Sequence, residues 1–355
     1  MESTAHAQAF IAQVKRQSDR ALLRELQKLA KRIRPTSAAM AQALQSALIR
    51  GGKRLRPALV VAGYRAAGKR ADRRIIQAGV AVELLHVFAL IHDDIIDGSV
   101  TRRGVATMHV DQAQLARRAG LQNPEAIGVA QSILVGDLLL SAADEALEAA
   151  GFSGTAAGRA RALFLAMRTE LIAGQYEDVE LSLHLPKATP KQVLHVMSVK
   201  SGHYTIALPL LLGATLGSAS ASNLRALRTF AEPAGIAFQL QDDLLGTFGS
   251  AAVGKPTDSD IREGKATLLA VHALHHATAA QRGILLRTLG NRQAPRAAVA
   301  KVRTIFIATG AKTHIERQIE RYIRRAEAVL TRSRLPGQTK KLLADFGEYL
   351  VQRST

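Results

Sequence analysis

Apolar residues recur along this chain at intervals of three and four, and almost nowhere at two. Between Ala7 and Ile33, Phe10, Val14, Leu22, Leu26 and Leu29 fall at helical spacing, and Pro35 closes the run. Ser37 opens a second helix through Leu48, stopped by Gly51-Gly52. Pro57 stands near the start of a third that reaches about Ala67. A long helix is expected from Arg73 to about Asp97, then a polar turn from Gly98 to Met108. Further helical patterns cover 125–150, 155–183, 190–217, 222–247, 265–290, 295–308 and 311–331, with a last helix from about Gly337. No stretch of useful length alternates with period two, so no sheet is expected. No internal repeat or long low-complexity linker breaks the chain. The pattern predicts one all-α domain over residues 1–355, with 1–35 as an N-terminal helical extension.

Composition sharpens this picture. Apolar residues make up 47% of the 355 positions and aromatics 4%, with alanine and leucine prominent, a mix that favours helix over strand. A chain of this length can bury a sizeable core. There is no cysteine, which excludes a disulfide frame and a thiolate metal site. Met1 to Arg20 carries charge early and lacks the apolar core of a signal peptide, so a cytoplasmic location is expected. From Tyr204 to Asn223 no residue is charged, a run long enough to span a bilayer. Pro209, Gly213, Gly217 and several serines dilute it, and the expectation is a buried helix and no transmembrane segment.

The formal charge of +19 raises nucleic-acid binding as a class of function. Lys and Arg, however, are spread through every segment, and aromatic residues do not interleave with them. A basic chain also suits anionic diphosphates and acidic membrane surfaces, and most of the excess reads as solvated surface; a nucleic-acid-binding helical protein stays a minor alternative.

The candidate chemistry begins at Leu84–Asp97, where Asp93, Asp94 and Asp97 interrupt an otherwise apolar helical stretch. Asp93 and Asp97, four residues apart, share a helix face. Three carboxylates at that spacing repel one another and are unfavourable in an apolar neighbourhood unless a cation neutralises them. Mg²⁺ suits hard oxygen ligands, taking one or two carboxylates and completing its shell with water and phosphate oxygens. A second acidic pair, Asp242-Asp243, repeats the idea far down the chain. Two acidic patches with room for a substrate between them point to metal-bridged diphosphate chemistry.

Six motifs then occur in order: Gly51-Gly52-Lys53-Arg54-Leu55-Arg56-Pro57, the DDIID of Asp93–Asp97, Arg102-Arg103-Gly104, Phe238-Gln239-Leu240-Gln241-Asp242-Asp243, Gly254-Lys255-Pro256 and Glu263-Gly264-Lys265. Together, from about residue 40 to Leu335-Pro336, they resemble the trans-polyprenyl diphosphate synthases, which include geranylgeranyl and farnesyl diphosphate synthases. The resemblance implies an all-α orthogonal bundle around a central cavity, with the two acidic motifs facing each other at its mouth. Three Mg²⁺ ions would bridge them to an allylic diphosphate. The implied reaction is ionisation of the allylic carbon–oxygen bond, attack by isopentenyl diphosphate and loss of a proton. No side chain need be a nucleophile; the protein supplies metal sites, phosphate clamps, orientation and a dry pocket. Relatives are usually homodimers.

Carried over residue by residue, the resemblance makes Asp93 and Asp97 metal ligands with Asp94 in support, and Asp242 the ligand on the opposite side supported by Asp243. Gly246 occupies the third acidic position of the second motif, so that site departs from the full pattern. Lys53, Arg56, His86 and Arg103 match the positions that hold isopentenyl diphosphate, where several donors and the planar fork of arginine suit the ligand. Arg102, Lys200, Ser201, Gln239, Lys255 and Lys265 match the allylic-diphosphate side, Ser201 replacing a threonine. Arg102 and Lys200 stand with the aspartates as the residues closest to the chemistry. Gly174-Gln175 and Asp178 resemble a GQxxD element. Ala106 stands where the family often has proline, and Asp258 where it often has glycine.

Product length depends on what blocks the pocket below the first acidic motif. Phe88 sits about 7.5 Å below Asp93 along a helix axis, and Ala89, one turn below Asp93, is small. An aromatic at the fifth position before the motif, a small residue at the fourth and no insertion resemble the geranylgeranyl-producing type. Leu84, Leu85, Ile133 and Leu134 are further candidates for the floor. A twenty-carbon product is expected, with farnesyl or longer-chain products as alternatives. A class I terpene cyclase would need an Asn/Ser/Glu metal motif in its second half, which Asp242–Ser250 lacks, and would leave Lys53 and Arg56 without a role. A non-catalytic partner subunit would be expected to have lost its acidic motifs, whereas both are present.

Overall fold

The computed structural model describes residues 2–49, 51–102, 104–249 and 258–352. Helices dominate it: α1 (Glu2–Ile33), α2 (Ala38–Ile49), α3 (Leu55–Ala66), α4 (Arg73–Ile96), α5 (Met108–Arg118), α6 (Pro124–Glu148), α7 (Gly154–Leu183) and α8 (Pro190–Val196). They continue with α9 (Leu208–Leu216), α10 (Ala221–Phe248), α11 (Ser259–Glu263), α12 (Leu268–His276), α13 (Ala279–Thr288), α14 (Arg296–Ala308), α15 (Ala311–Arg332) and α16 (Gly337–Val351). The chain is all-α, as its apolar periodicity predicts.

Three departures from that expectation have local causes. The predicted 190–217 helix is three pieces, α8, a π-helical stretch Met197–Ala207 and α9. Pro209 lacks the N–H that a regular turn would donate to the Thr205 carbonyl, and the wider winding precedes it. The predicted 265–290 helix divides because Thr278 starts a new one. Its hydroxyl accepts from the Gln281 N–H while the Gln281 side chain accepts from the Thr278 N–H, a complete capping box. The polar turn after α4 holds a two-residue antiparallel ladder, β1 (Thr101–Arg102) with β2 (Val105–Ala106), pairing Thr101 with Ala106 and Arg102 with Val105.

The chain divides into two compact units. One comprises residues 8–161 and 212–219, and its centre is α4, packed against α3, α5 and α6. Asp72 caps α4 by accepting from the Ile75 N–H at 3.0 Å. Ile75, Ala78, Val80, Ala81, Val82, Leu84 and Leu85 are then buried almost without interruption. A helix buried on nearly every side needs no amphipathic stripe; Glu83 is buried at its middle, and Asp93 and Asp94 lie in its last turn. The other unit comprises residues 1–7, 162–211 and 220–355, and its centre is α10, packed against α15, α16 and the π-helical stretch. His6 Nδ1 lies 2.7 Å from Asp345 Oδ2 on α16 and ties the start of α1 into this unit.

Two helices among the described residues, α4 and α6, are long and apolar enough to cross a membrane by length and composition. Within the most apolar stretch of each, 67% and 39% of the residues respectively are buried inside the protein. Residues 204–223 are not one helix: the chain leaves α9 after Leu216, turns at Gly217–Ser220 and enters α10.

Candidate active site

The first acidic cluster is the C-terminal end of α4. Asp93 and Asp97 are half-buried, Asp94 is buried, and Asp97 is the C-cap. Carboxylates at a helix C-terminus meet the negative end of the macrodipole, so this placement needs a cation. The ladder that follows supplies one. Arg102 Nε donates to Asp94 Oδ1 at 2.7 Å, and the same guanidinium reaches Asp93 Oδ2 at 3.4 Å. Burial works against the charge of Arg102, but Asp94, Asp93 and Asp97 overcome it and hold the group above its ordinary value. Arg103 lies outside the described residues.

The Gly51–Pro57 motif separates its basic residues by task. Arg54, in the left-handed conformation at φ 53°, turns inward. Its guanidinium donates to Glu83 Oε1 at 2.7 Å and to Asp19 Oδ1 at 2.6 Å, and both Arg54 and Glu83 are buried. Burial opposes its charge, while Glu83 and Asp19 favour it and prevail. Lys53 on one side is exposed and Arg56 on the other is half-buried. His86, half-buried on α4, stands two turns before Asp93 on the same face.

In the other unit, α10 carries Asp242 exposed and Asp243 buried. Gln239, one turn earlier, donates to Asp243 Oδ1 at 2.8 Å. Burial first, then the neighbouring Asp260 and Asp242 carboxylates, hold the Asp243 carboxyl well above the usual range, with Gln239 and Lys265 acting the other way. Asp260 belongs to none of the sequence motifs. It projects from α11 onto Gly246, where a Cβ would lie 2.5 Å from Asp260 Oδ2. Lys265 follows the turn at Gly264 and pairs with Glu263 at 3.2 Å. Lys255 lies outside the described residues. Asp258, in place of glycine, accepts from Arg262 Nε at 2.6 Å.

Lys200 and Ser201 lie in the π-helical stretch, both half-buried. Such widened turns often occur at functional sites. Lys200 Nζ donates to Asp178 Oδ2 on α7 at 2.5 Å. Gly174, one turn before Asp178, permits the approach, since a Cβ there would lie 3.0 Å from Lys200 Cα. The GQxxD element therefore has a job within this unit: its glycine admits the Lys200 backbone and its aspartate holds the ammonium.

The donors in both clusters are carboxylate oxygens, the chemistry Mg²⁺ prefers. Among the described residues no three His, Asp or Glu side chains form a closed ligand cage. Mg²⁺ held by one or two carboxylates and completed by water and phosphate oxygens does not need one, so the donor set fits.

Below the first cluster, Phe88 is buried and Ala89 half-buried. Leu84 and Leu85 are fully buried, whereas Ile133 and Leu134 on α6 are 39% and 59% exposed, and Ser132, Val135 and Gly136 are buried instead. On α7, Ile172, Tyr176, Val179 and Leu183 form a second exposed apolar row at helical spacing.

Comparison with known proteins adds four observations. The Polyprenyl synthetase family model matches residues 37–306. A geranylgeranyl diphosphate synthase of Saccharolobus solfataricus is 35% identical over 250 residues, 69% of this chain and 70% of that protein. A geranylfarnesyl diphosphate synthase of Aeropyrum pernix is 31% identical, over 85% of this chain and 91% of its own. The crystal structure of a geranylgeranyl pyrophosphate synthase from Corynebacterium glutamicum, complexed with isoprenyl diphosphate and magnesium, superposes with a TM-score of 0.87 at 32% identity. It covers 95% of this chain and 98% of that one.

Proposed function

Because the chain belongs to the polyprenyl synthetase family and is a trans-prenyltransferase, we propose that it condenses isopentenyl diphosphate with an allylic diphosphate in the presence of Mg²⁺, giving geranylgeranyl diphosphate. The observation that carries this reading is the Asp93/Asp97 carboxylate pair on α4, with Arg102 as its built-in counter-charge. Relatives named as geranylgeranyl diphosphate synthases support the twenty-carbon product. The whole chain, 1–355, works as one catalytic domain, with 1–35 as an added helical segment preceding the family match at 37.

Each set of residues has its own task. Asp93 and Asp97, supported by Asp94, hold metal at one cluster; Asp242, supported by Asp243, holds it at the other, with three Mg²⁺ in all. Bound there, Mg²⁺ would polarise the departing diphosphate. Lys53, Arg56, His86 and Arg103 bind isopentenyl diphosphate. Arg102, Lys200, Ser201, Gln239, Lys255 and Lys265 bind the allylic diphosphate, the planar fork of Arg102 exchanging carboxylate oxygens for a pair of phosphate oxygens. The allylic carbon–oxygen bond breaks, the isopentenyl double bond attacks the allylic carbon, and a proton leaves the new unit. Phe88 and Ala89 set where the growing chain stops.

The exposed apolar residues of α6 and, separately, of α7 support a homodimer as the working assembly. Its substrates are water-soluble diphosphates and the enzyme acts in the cytoplasm. The test is incubation of purified protein with Mg²⁺, isopentenyl diphosphate and each of dimethylallyl, geranyl and farnesyl diphosphate, followed by chain-length analysis. A dominant twenty-carbon product is expected. Fifteen carbons or a longer ladder would keep the enzyme and overturn the product; absence of any Mg²⁺-dependent product would overturn the catalytic reading.

A further inference from the structure

His92 directly precedes Asp93 on α4, yet its ring is engaged elsewhere. Its centroid lies 4.7 Å from that of Phe88, one turn earlier, with the planes tilted by 60°. At its far end, Nε2 lies 3.2 Å from the Ile133 carbonyl oxygen on α6. A carbonyl only accepts, so Nε2 carries the proton and donates. Asp137 Oδ1 stands 3.8 Å from the same nitrogen. Gly136 makes the arrangement possible: a Cβ there would lie 2.3 Å from Nε2 and 2.5 Å from Cδ2 of His92. Any larger residue at 136 would occupy the space of the imidazole.

The result is a ring anchored at one end to the backbone of α6 and packed at its face or edge on Phe88. Phe88 is buried, and an aromatic side chain keeps one rotamer only where its neighbours hold it. His92 is the neighbour one turn along the same helix, and α6 fixes it. We infer that His92 is a positioning residue for product length: fastened to α6 through the room left by Gly136, it holds Phe88 in place, so the floor of the chain-length pocket is the Phe88–His92 pair. This rests on the prenyl synthase reading and deepens it, since it assigns a determinant of specificity outside the residues proposed to hold diphosphate or metal.

The test compares wild type with Phe88→Ala, His92→Ala, His92→Gln and Gly136→Ala, measuring product length, total isopentenyl diphosphate turnover, Mg²⁺ requirement and thermal midpoint. Phe88→Ala and His92→Ala are each expected to raise the share of products longer than twenty carbons by about fivefold or more. Gly136→Ala should do the same by displacing the imidazole. His92→Gln, which keeps a donor for the Ile133 carbonyl and loses the ring, should also lengthen the product. Mg²⁺ requirement should stay unchanged in all four. If His92→Ala does not fold, Gly136→Ala and His92→Gln decide. A shift in Phe88→Ala with unchanged length in the His92 and Gly136 variants would overturn the inference and keep the enzyme. Unchanged length in Phe88→Ala would remove the floor and the inference with it. A wild type without Mg²⁺-dependent product would overturn this and the functional reading together.

Discussion

The Asp260 carboxylate occupies the space into which a side chain at Gly246 would project: a Cβ built at Gly246 falls 2.5 Å from Asp260 Oδ2. Position 246 is where the second acidic motif lacks its third acid. Along α10 that carboxylate is missing; in space, α11 delivers one to the same turn.

Moving the acid should therefore be tolerated better than removing it. Asp260→Ala is expected to lower kcat/KM by about 10–100-fold and raise the Mg²⁺ needed for half-maximal rate, the effect usual for groups that orient metal ligands. Gly246→Asp alone should also lose activity, because it forces two carboxylates into one space. The double variant Gly246→Asp/Asp260→Ala should recover most of the lost rate. Mg²⁺ titrations of initial rate for the three variants check this.

The Arg54–Glu83 pair makes a stability prediction. Arg54→Ala leaves Glu83 buried without its guanidinium and should destabilise by about 3–5 kcal/mol. Arg54→Met/Glu83→Leu removes both charges and should cost much less. Urea denaturation at neutral pH distinguishes them. A loss equally large in the double variant would mean that the loop geometry at residue 54, and not the buried charge, is what matters.

Gly174→Ala should act on substrate binding through Lys200. The new methyl would stand 3.0 Å from Lys200 Cα, so the π-helical stretch must shift. A displacement near 1 Å can cost up to about 100-fold in rate, and we expect a raised KM for the allylic diphosphate with KM for isopentenyl diphosphate unchanged. Steady-state kinetics with each substrate varied in turn provides the measurement.

Two imidazoles make stability depend on pH. His272 stacks on His276 with centroids 4.1 Å apart and on His314 at 4.4 Å. Burial first, then the neighbouring imidazoles, hold His272 below its ordinary value of 6.5; burial, His276 and Arg317 do the same for His314. The unfolded chain thus binds these protons more readily than the folded one. Stability should be full above about pH 6.5 and fall as pH drops from there through the lowered folded values. His314→Gln should flatten that slope. Thermal midpoints between pH 5 and 8 test it, and parallel slopes for variant and wild type would contradict it.

What was legible in the sequence followed from spacing. Asp93 and Asp97 are readable because four residues is one turn, and most helix limits because proline, glycine and capping residues mark them. The role of Arg54 is not legible, because its partners, Asp19 and Glu83, are separated from it in sequence and bear no local mark. Nor is that of Asp260, whose significance lies in the empty side of a glycine on another helix. The turn-width of residues 197–207 leaves no trace in an apolar pattern of period near four, and the Thr278 box was visible in sequence but lay inside a run that otherwise reads as one helix.

The bond from Arg102 to Asp94 also bears on how the protein is made. A carboxylate cluster that depended on metal for charge balance would tie maturation of the enzyme to its supply of Mg²⁺. Here the counter-ion is encoded a few residues further along the same chain. On the proposed reading, metal loading at this cluster would be an exchange of one cation for another, and the guanidinium so displaced would be free for a phosphate.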